Sequence, residues 1–388
     1  MSGITDRVIK NVNSYIIRNV LVYRMSIIRG KDVMSSMSSD QNLPSVTIAI
    51  PAYNEEDHIE GIIKNFQKAS YPNIIEILVA DGRSTDRTPE IVRSISLDDP
   101  RVKLIDNPDR IQSAGLNRLI SVARGDLFLR ADAHCDYADD YVEASVNASI
   151  DSGALNVGGS QRFVATNRFQ SYVALAVNSV LGSGGAKYRD ESYEGYADTV
   201  FLGCYRTDVL QRLKGFLTNN VTNEDAEINI RLEKEQKNAV FISPDIRVWY
   251  YPRKDVISLF KQYFKYGKGR CMTFFRHPPG ASLRGSTPFL TITFLFLIAV
   301  YLLAAGSFLT LALFLASVLI IVLAEVVRTV HKNRESFHST IWRGEPGKAP
   351  GWICQVLGTT FVVITMNFAH FAGFGWQLLR FLGGRKSW

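Results

Sequence analysis

Cysteine is scarce in this sequence. Four occur in 388 residues, Cys135, Cys204, Cys271 and Cys354, scattered and without a CxxC pair. That spacing argues against a disulfide framework and for thiols in a reducing compartment. No GxxxxGK[ST] run occurs, which excludes a P-loop. The turn after the first expected strand, Pro51-Ala52-Tyr53-Asn54-Glu55, holds no glycine, which argues against pyrophosphate binding of the Rossmann dehydrogenase kind. There is no zinc-finger spacing and no RNP-type aromatic motif, so nucleic acid is not an expected partner. The N-terminus has no compact apolar core followed by a small-residue cleavage site, and no signal peptide is read. Charge is nearly missing from residues 288–327, where Glu325 stands alone.

Against these absences the bulk composition is ordinary, 46% hydrophobic and 21% charged. The net charge of +7 is unevenly placed. Residues 1–31 carry Arg7, Lys10, Arg18, Arg24, Arg29 and Lys31 against one acid, Asp6. Within 4–29 the apolar residues Val8, Val12, Ile16, Val20, Tyr23 and Ile27 recur every three or four positions, a helical period. A basic amphipathic helix of this kind lies on anionic lipid; packing on the neighbouring domain is the alternative. Residues 34–41 read as a polar linker, which closes an N-terminal segment at 1–43.

From 44 to 287 the pattern is that of an α/β domain. Strands are expected at 46–50, 74–80, 102–105 and 126–130, alternating with helices at 55–68, 86–95 and 111–123. This alternation means a mainly parallel sheet. Ligands of such sheets bind at the carboxyl ends of strands. Those ends carry Tyr53-Asn54-Glu55, Asp81-Gly82-Arg83 and Asp132-Ala133-His134.

Residues 288–388 form a membrane part. The run 288–327 is too long for one span of about 20 residues and folds as a hairpin with its turn at Ala304-Ala305-Gly306-Ser307. The loop 328–350 carries Arg328, Lys332, Arg334, Arg343 and Lys348. The positive-inside rule makes that loop cytoplasmic, and the α/β domain with it. A last apolar stretch, 351–383, either spans or is re-entrant with a break near Gly373 and Gly375.

Five motifs in order between 46 and 270 resemble those of glycosyltransferase family 2. They are Pro51-Ala52-Tyr53-Asn54-Glu55; the 77–86 run ILVADGRSTD; the looser 110–117 run RIQSAGLN; the 125–132 strand GDLFLRAD leading to a D-x-D position; and Asn223-Glu224-Asp225 with Ile228 and Arg231-Leu232. The 262–266 run QYFKY looks like a variant of the family's Q-x-x-R-W. The R-x-D-A-H form and the YGKGR tail look most like the succinoglycan-type, ExoA-like branch, which builds exopolysaccharide repeat units on lipid carriers.

The resemblance implies a GT-A nucleotide-sugar-binding fold, an inverting sugar transfer, a divalent metal (Mn²⁺ or Mg²⁺), a UDP-sugar donor with UDP-glucose as the family-weighted choice, and a polyprenyl-diphosphate-linked saccharide acceptor. Localisation follows as a multi-pass protein of the inner, cytoplasmic membrane. Donor binding would fall to Pro51, Ala52, Tyr53, Glu55, Asp81, Arg110, Ala131 and Asp132. Each has an ordinary alternative: Asp81 as a cap of the next helix, Glu55 as a brace of its own loop, Arg110 as a surface arginine. Asp86, just before Arg87-Thr88-Pro89, suits an N-cap as well as a ligand contact.

Asp132 is the expected metal ligand. Position 130 is arginine where the family has its first aspartate, so His134 would be the second ligand in a D-x-H arrangement, or a structural histidine. Imidazole suits manganese better than magnesium. Asp225 is the expected base for the acceptor hydroxyl, with Glu224 orienting it or touching acceptor hydroxyls; acids opening a helix are the plain alternative. Gly203 would let the acceptor approach the backbone. Gln262 and Tyr266 share a helix face; with Lys265 they would supply a cation near the diphosphate and an aromatic under the sugar, or else lie at the interface. Tyr250, Tyr251 and Arg253 can also reach the site. A processive polysaccharide synthase and a non-catalytic nucleotide-sugar-binding scaffold remain as alternatives.

Overall fold

The structure, a computed structural model, describes residues 43–183, 185–218, 222–276 and 285–384. The expected interfacial helix at 4–29 and the linker at 34–41 lie outside the described residues. The chain divides into two units, 1–44 and 45–388, and the second is described below.

Four parallel strands open the fold: β1 (Val46–Ala52), β2 (Ile74–Asp81), β3 (Val102–Asp106) and β4 (Leu127–Arg130). β1 is a near-continuous apolar run, VTIAIPA, buried along almost all its length. Strands covered on both faces read this way. The crossovers are α1 (Ile59–Gln67), α2 (Thr88–Asp98) and α3 (Gln112–Val122). After them come β5 (Cys135–Tyr137), α4 (Tyr141–Ser152), β6 (Asn156–Gly159), β7 (Gln161–Phe163), α5 (Arg168–Val177) and α6 (Val180–Ser183). The unit continues with β8 (Gly195–Tyr196), β9 (Phe201–Arg206), α7 (Thr207–Arg212), α8 (Glu224–Glu235), β10 (Val240–Ile242), β11 (Val248–Tyr250) and α9 (Val256–Arg276).

The main sheet has the order β3-β2-β1-β4-β9-β6-β10-β8, and a small second sheet has the order β5-β11-β7. β9 runs antiparallel to both β4 and β6, so the sheet is mixed beyond β4. Order reverses at β1, flanked by β2 and β4. The crevice at such a switch point is where open α/β sheets bind ligands. Here it brings the turn after β1 beside the residues that follow β4.

Two expected helices are shorter at their start. The helix expected at 55–68 begins at Ile59 because the backbone N–H groups of Glu55 and Glu56 donate to Thr88 Oγ1 (2.8 Å) and Asp86 Oδ2 (3.1 Å). The turn is thus pinned to the head of α2. α2 begins at Thr88, whose N–H and hydroxyl both donate to Asp86 Oδ1, at 3.0 and 2.6 Å. Asp86 thus anchors the turn that opens α2, one residue before the N-cap Arg87.

The membrane hairpin is α10 (Thr287–Ala304) and α11 (Phe308–Lys332), turning at Ala305–Ser307 with Gly306 at φ 66°. No residue of α10 is buried against protein. α12 (Trp352–Leu382) is one unbroken helix through Gly373 and Gly375. All three are long and apolar enough to cross a membrane.

α12 exposes apolar side chains on one side and buries a mixed face on the other. Ile353, Leu357, Phe361, Ile364, Phe368, Trp376 and Leu379 are exposed along one stripe. Its opposite face buries Gln355, Thr359, Thr360, His370 and Gln377. An apolar stripe left exposed in this way suits lipid on the outer side. Its inner side crosses α9 at glycine: a Cβ on Gly373 would lie 2.0 Å from Phe264 O, and one on Gly267 2.1 Å from His370 O. Phe371 and Phe374 stack on Phe289 in the first turn of α10. Val356, Val362 and Met366 share an apolar cluster with Val326 and Val330 of α11 and with α5. α12 therefore touches both hairpin helices at the ends that meet the α/β unit.

The loop 328–350 returns to the same unit. Ala165 N donates to Ile341 O and Arg343 N donates to Ala165 O, both at 2.8 Å. Arg343 Nη1 also pairs with Asp136 at 2.8 Å.

Candidate active site

The turns after β1 and β2 interlock. Asn54, at φ 56°, donates its N–H to Ser84 Oγ (2.8 Å) and accepts from Thr85 N (2.8 Å). The Ser84 hydroxyl donates to Asp81 Oδ1 at 2.5 Å, and Ser84 N lies 3.2 Å from both carboxylate oxygens. Asp81 is 7% exposed. Part of its accepting capacity braces its own turn, the loop reading of this residue. Tyr53 stands 49% exposed beside Gly82, an aromatic face at the cleft mouth. Arg110 is exposed, on a left-handed turn (φ 55°) whose N–H donates to Asn107 O.

Arg130 changes the picture at the end of β4. It occupies the place of the family's first aspartate, and it is 4% exposed. Its Nη1 pairs with Asp225 Oδ1 and its Nη2 lies 3.3 Å from Glu224 Oε1. Burial works against the guanidinium's charge, but the two carboxylates outweigh it and push its pKa further up. Glu224, 6% exposed, has its pKa pushed up to about 7, first by burial and then by the Asp225 charge. The side chain of Asp225 is 36% exposed, so it is the acid of the pair that faces the cleft. Both acids lie in the first turn of α8, which begins at Glu224 rather than at Ala226. The helix dipole favours them there, and the base reading coexists with it. Asn223 caps the helix with φ 68°, its Nδ2 donating to Thr273 Oγ1 of α9 at 2.9 Å.

The sequence carried a signal for this triad. An arginine closing an apolar strand, LFLR, needs a buried counter-charge. The Glu224-Asp225 doublet is where it finds one.

Asp132 and His134 do come together, but through backbone. Asp132 Oδ1 accepts from His134 N at 3.0 Å, and the Tyr137 hydroxyl, 2.6 Å from Asp132 N and 3.0 Å from Asp132 O, clamps the same residue. The imidazole faces the β1 turn, with Nε2 2.9 Å from Glu55 Oε1. That hydrogen bond is the main reason its pKa is raised, against the opposing effect of burial. His58, which the sequence reading did not single out, meets the His134 ring edge-on at 5.2 Å. Ligand atoms of Glu55, His58 and His134 lie within 4.8 Å of one another, and Glu55 Oε2 is buried with no hydrogen-bond partner. A carboxylate oxygen without a donor beside two imidazoles fits a divalent cation, and the nitrogen content favours manganese over magnesium. Ala131 is buried between Arg130 and Asp132, its N–H donating to Ala49 O of β1 at 2.8 Å. Pro51 and Ala52 close β1 opposite Ala80 and Asp81.

On the acceptor side, Gly203 is enclosed. A Cβ there would lie 2.2 Å from Asn156 Oδ1 and 2.6 Å from the Tyr205 ring. Glycine is required by packing inside β9, and the space is filled by protein, not left to an acceptor. Gln262 and Tyr266 share a face of α9 as expected, Nε2 donating to the Tyr266 hydroxyl at 3.0 Å and lying 3.5 Å from that of Tyr250. Lys265 is exposed on α9, its carbonyl accepting from Thr222 Oγ1 at 2.9 Å. Arg253 acts electrostatically on His134 and Tyr250. Tyr251 points elsewhere, donating to Asp136 Oδ2 at 2.7 Å beside Arg343.

The sequence profile of "Glycosyl transferase family 2" matches residues 47–212. The succinoglycan biosynthesis protein ExoA of Rhizobium meliloti is 38% identical over 255 residues, covering 65% of this chain and 77% of that protein. A dolichyl N-acetyl-alpha-D-glucosaminyl phosphate 3-beta-D-2,3-diacetamido-2,3-dideoxy-beta-D-glucuronosyltransferase of Methanococcus voltae is 28% identical over 234 residues, 58% of this chain and 72% of that one. Among solved structures, a mannosyltransferase from Pyrobaculum calidifontis in complex with GDP-Man and Mn²⁺ overlays with a TM-score of 0.51 at 17% identity, covering 84% of this chain and 86% of that one. At that identity the likeness is one of fold.

Proposed function

This chain belongs to glycosyl transferase family 2, and on that premise we propose that it is an inverting transferase that moves one sugar from a UDP-sugar, UDP-glucose by preference, to a polyprenyl-diphosphate-linked saccharide. The observation that carries this is Asp225, the cleft-facing member of a buried Arg130–Glu224–Asp225 triad at the end of β4. The triad adjoins Asp132 and the β1 turn.

In this reading the donor's base and ribose lie over Tyr53 and Asp81, and Arg110 at the rim meets its phosphates. The acceptor hydroxyl attacks the anomeric carbon opposite the diphosphate. Its proton passes to an Asp225 oxygen as the new C–O bond forms. The old C–O bond breaks with its electron pair leaving on the UDP. Asp225 takes up the proton because the acceptor's pKa collapses as it attacks. Arg130 holds the carboxylate in place. Glu55, His58 and His134 would hold a divalent ion, and their two imidazoles favour Mn²⁺. Such an ion neutralises charge building on a departing diphosphate.

The setting supports an acceptor anchored in lipid. The basic loop 328–350 is hydrogen-bonded to the α/β unit, so both share one side of the hairpin, the cytoplasmic side by the positive-inside rule. α12, with its apolar stripe outward and its contacts at both hairpin bases, rests along that surface rather than spanning. The inner membrane is the fitting location, with exopolysaccharide assembly as the process.

Asp225→Asn tests the core of this reading. Turnover of UDP-glucose on membranes loaded with lipid-linked acceptor falls by about 10²–10⁴-fold, the usual worth of a general base. UDP affinity, read by calorimetry, stays within about twofold. A variant with near wild-type turnover removes Asp225 as the base.

A further inference from the structure

Arg189 belongs to none of the motifs, and its surroundings are unusual. It ends a short 3-10 turn, Lys187–Arg189. Its guanidinium carbon lies 4.7 Å from the Phe163 ring centroid and 4.7 Å from that of Tyr188. Aromatic rings thus cover the group, and Nε and Nη1 are buried with no hydrogen-bond partner. Two buried N–H groups of a half-buried guanidinium without partners are costly. Cation–π contacts offset part of that cost but satisfy no N–H.

The position of this cation is informative. The Phe163 ring meets that of Tyr250 at 5.3 Å, edge to face. Tyr250 in turn feels the Asp132 charge, and its hydroxyl lies 3.5 Å from Gln262 Nε2. The Arg189 charge reaches the phenol of Tyr263 on α9, partly countering the upward push of burial there. Arg189 therefore lies beyond the Phe163–Tyr250 pair from the metal ligands, toward the helix that packs on α12 and so on the lipid-facing part of the fold. The donor's diphosphate belongs at the ends of β1 and β4; the edge of this guanidinium points to a second anion.

We propose that Arg189, in its aromatic box with Phe163 and Tyr188, is the receptor for the phosphate group of the amphiphilic acceptor, fixing that head group on the α9 side of the cleft while the saccharide reaches toward Asp225. This rests on the reading of the site as a transferase with a lipid-linked acceptor. A guanidinium offers N–H groups in a plane that matches phosphate oxygens. Nε and Nη1 are the N–H groups left without a partner, so they are the donors a phosphate would meet.

Farnesyl diphosphate, farnesol and UDP are the probes, titrated into the full-length protein in mild detergent and read by calorimetry. Wild type binds farnesyl diphosphate at least about tenfold more tightly than farnesol. Arg189→Gln weakens farnesyl diphosphate by about ten- to hundredfold, the worth of one to two charge-assisted hydrogen bonds, and leaves farnesol and UDP unchanged. Arg189→Lys falls between, since it keeps the charge and loses the fork. The proposal is overturned if farnesyl diphosphate and farnesol bind wild type alike. It is equally overturned if Arg189→Gln with a wild-type melting midpoint keeps its affinity for farnesyl diphosphate, or if UDP weakens along with it, which would make the anion the donor's. Should Arg189→Gln not fold, Arg189→Lys decides: unchanged affinity for farnesyl diphosphate with that variant refutes the fork. UDP-sugar turnover of the wild type is scored separately, so loss of the transferase reading and loss of this site are told apart.

Discussion

Restoring the family's aspartate at position 130 should harm this protein, not improve it. Here Arg130 is 4% exposed and stands between Glu224, 6% exposed, and the half-exposed Asp225. Arg130→Asp would place three carboxylates together with no cation among them. Arg130→Met leaves two. Breaking a buried pair by removing one partner costs about 3–5 kcal/mol, mostly the penalty on the charge left behind. Part of that is recovered by protonating Glu224, whose pKa is already pushed up to about 7 and which loses the one cation that lowers it. We therefore expect Arg130→Met to destabilise by about 3 kcal/mol, near the bottom of that range, and Arg130→Asp by more. Arg130→Met/Glu224→Met removes the stranded charge and should recover at least about 1 kcal/mol of the loss. The assay is denaturant or thermal unfolding of detergent-purified protein, followed by tryptophan fluorescence, with UDP-glucose turnover measured alongside. An Arg130→Asp variant as stable as wild type, and as active with Mn²⁺, would refute the triad as the organising element of the site.

Two further outcomes follow from the same geometry. Glu224 holds its proton up to about pH 7 in the folded chain, whereas an unfolded glutamate releases it near its ordinary value, so folded stability declines as pH rises between those values; Glu224→Gln flattens that slope in unfolding measured from pH 4.5 to 8, and an unchanged slope would show that another group carries it. Gly373→Leu drives a side chain into Phe264 O, which a Cβ would already approach to 2.0 Å, while Gly347, with nothing within 4 Å, is open; we expect Gly373→Leu to lower the melting midpoint by an amount equivalent to about 1–3 kcal/mol or more, Gly347→Ala to leave it unmoved, and equal midpoints would dismiss the α9–α12 crossing as a structural constraint.

Much was legible along the chain because it depends on neighbours in sequence. The apolar run of β1, the strand–helix alternation, and the uncharged stretch from 288 to 327 each report a local environment: covered on both faces, wrapped over a sheet, or facing lipid. The hairpin turn at Ala305–Ser307 follows from glycine's access to positive φ. The order of polar residues at strand ends followed too, since a parallel sheet sends every strand end to one edge. Asp225 and Asp132 were visible as acids in the right order, and Tyr266 and Gln262 as a pair four residues apart.

Other features needed the third dimension. Arg130 and Asp225 are 95 positions apart and meet only because β9 carries the chain back beside β4 before α8 begins. His134 finds Glu55 across the β1–β4 switch, so its partner is set by sheet order and not by the D-x-H spacing. Gly203 reads as an open approach in sequence and is filled by Asn156 and Tyr205 in space. Arg189 carries no motif at all; only two buried N–H groups without partners mark it. Periodicity and turn chemistry are local, so residue order alone placed β1–β4, their crossover helices and the apolar hairpin. Tertiary structure alone decided which charges pair, since a buried charge is satisfied by whatever the fold brings within about 3 Å, however far away it lies in the chain.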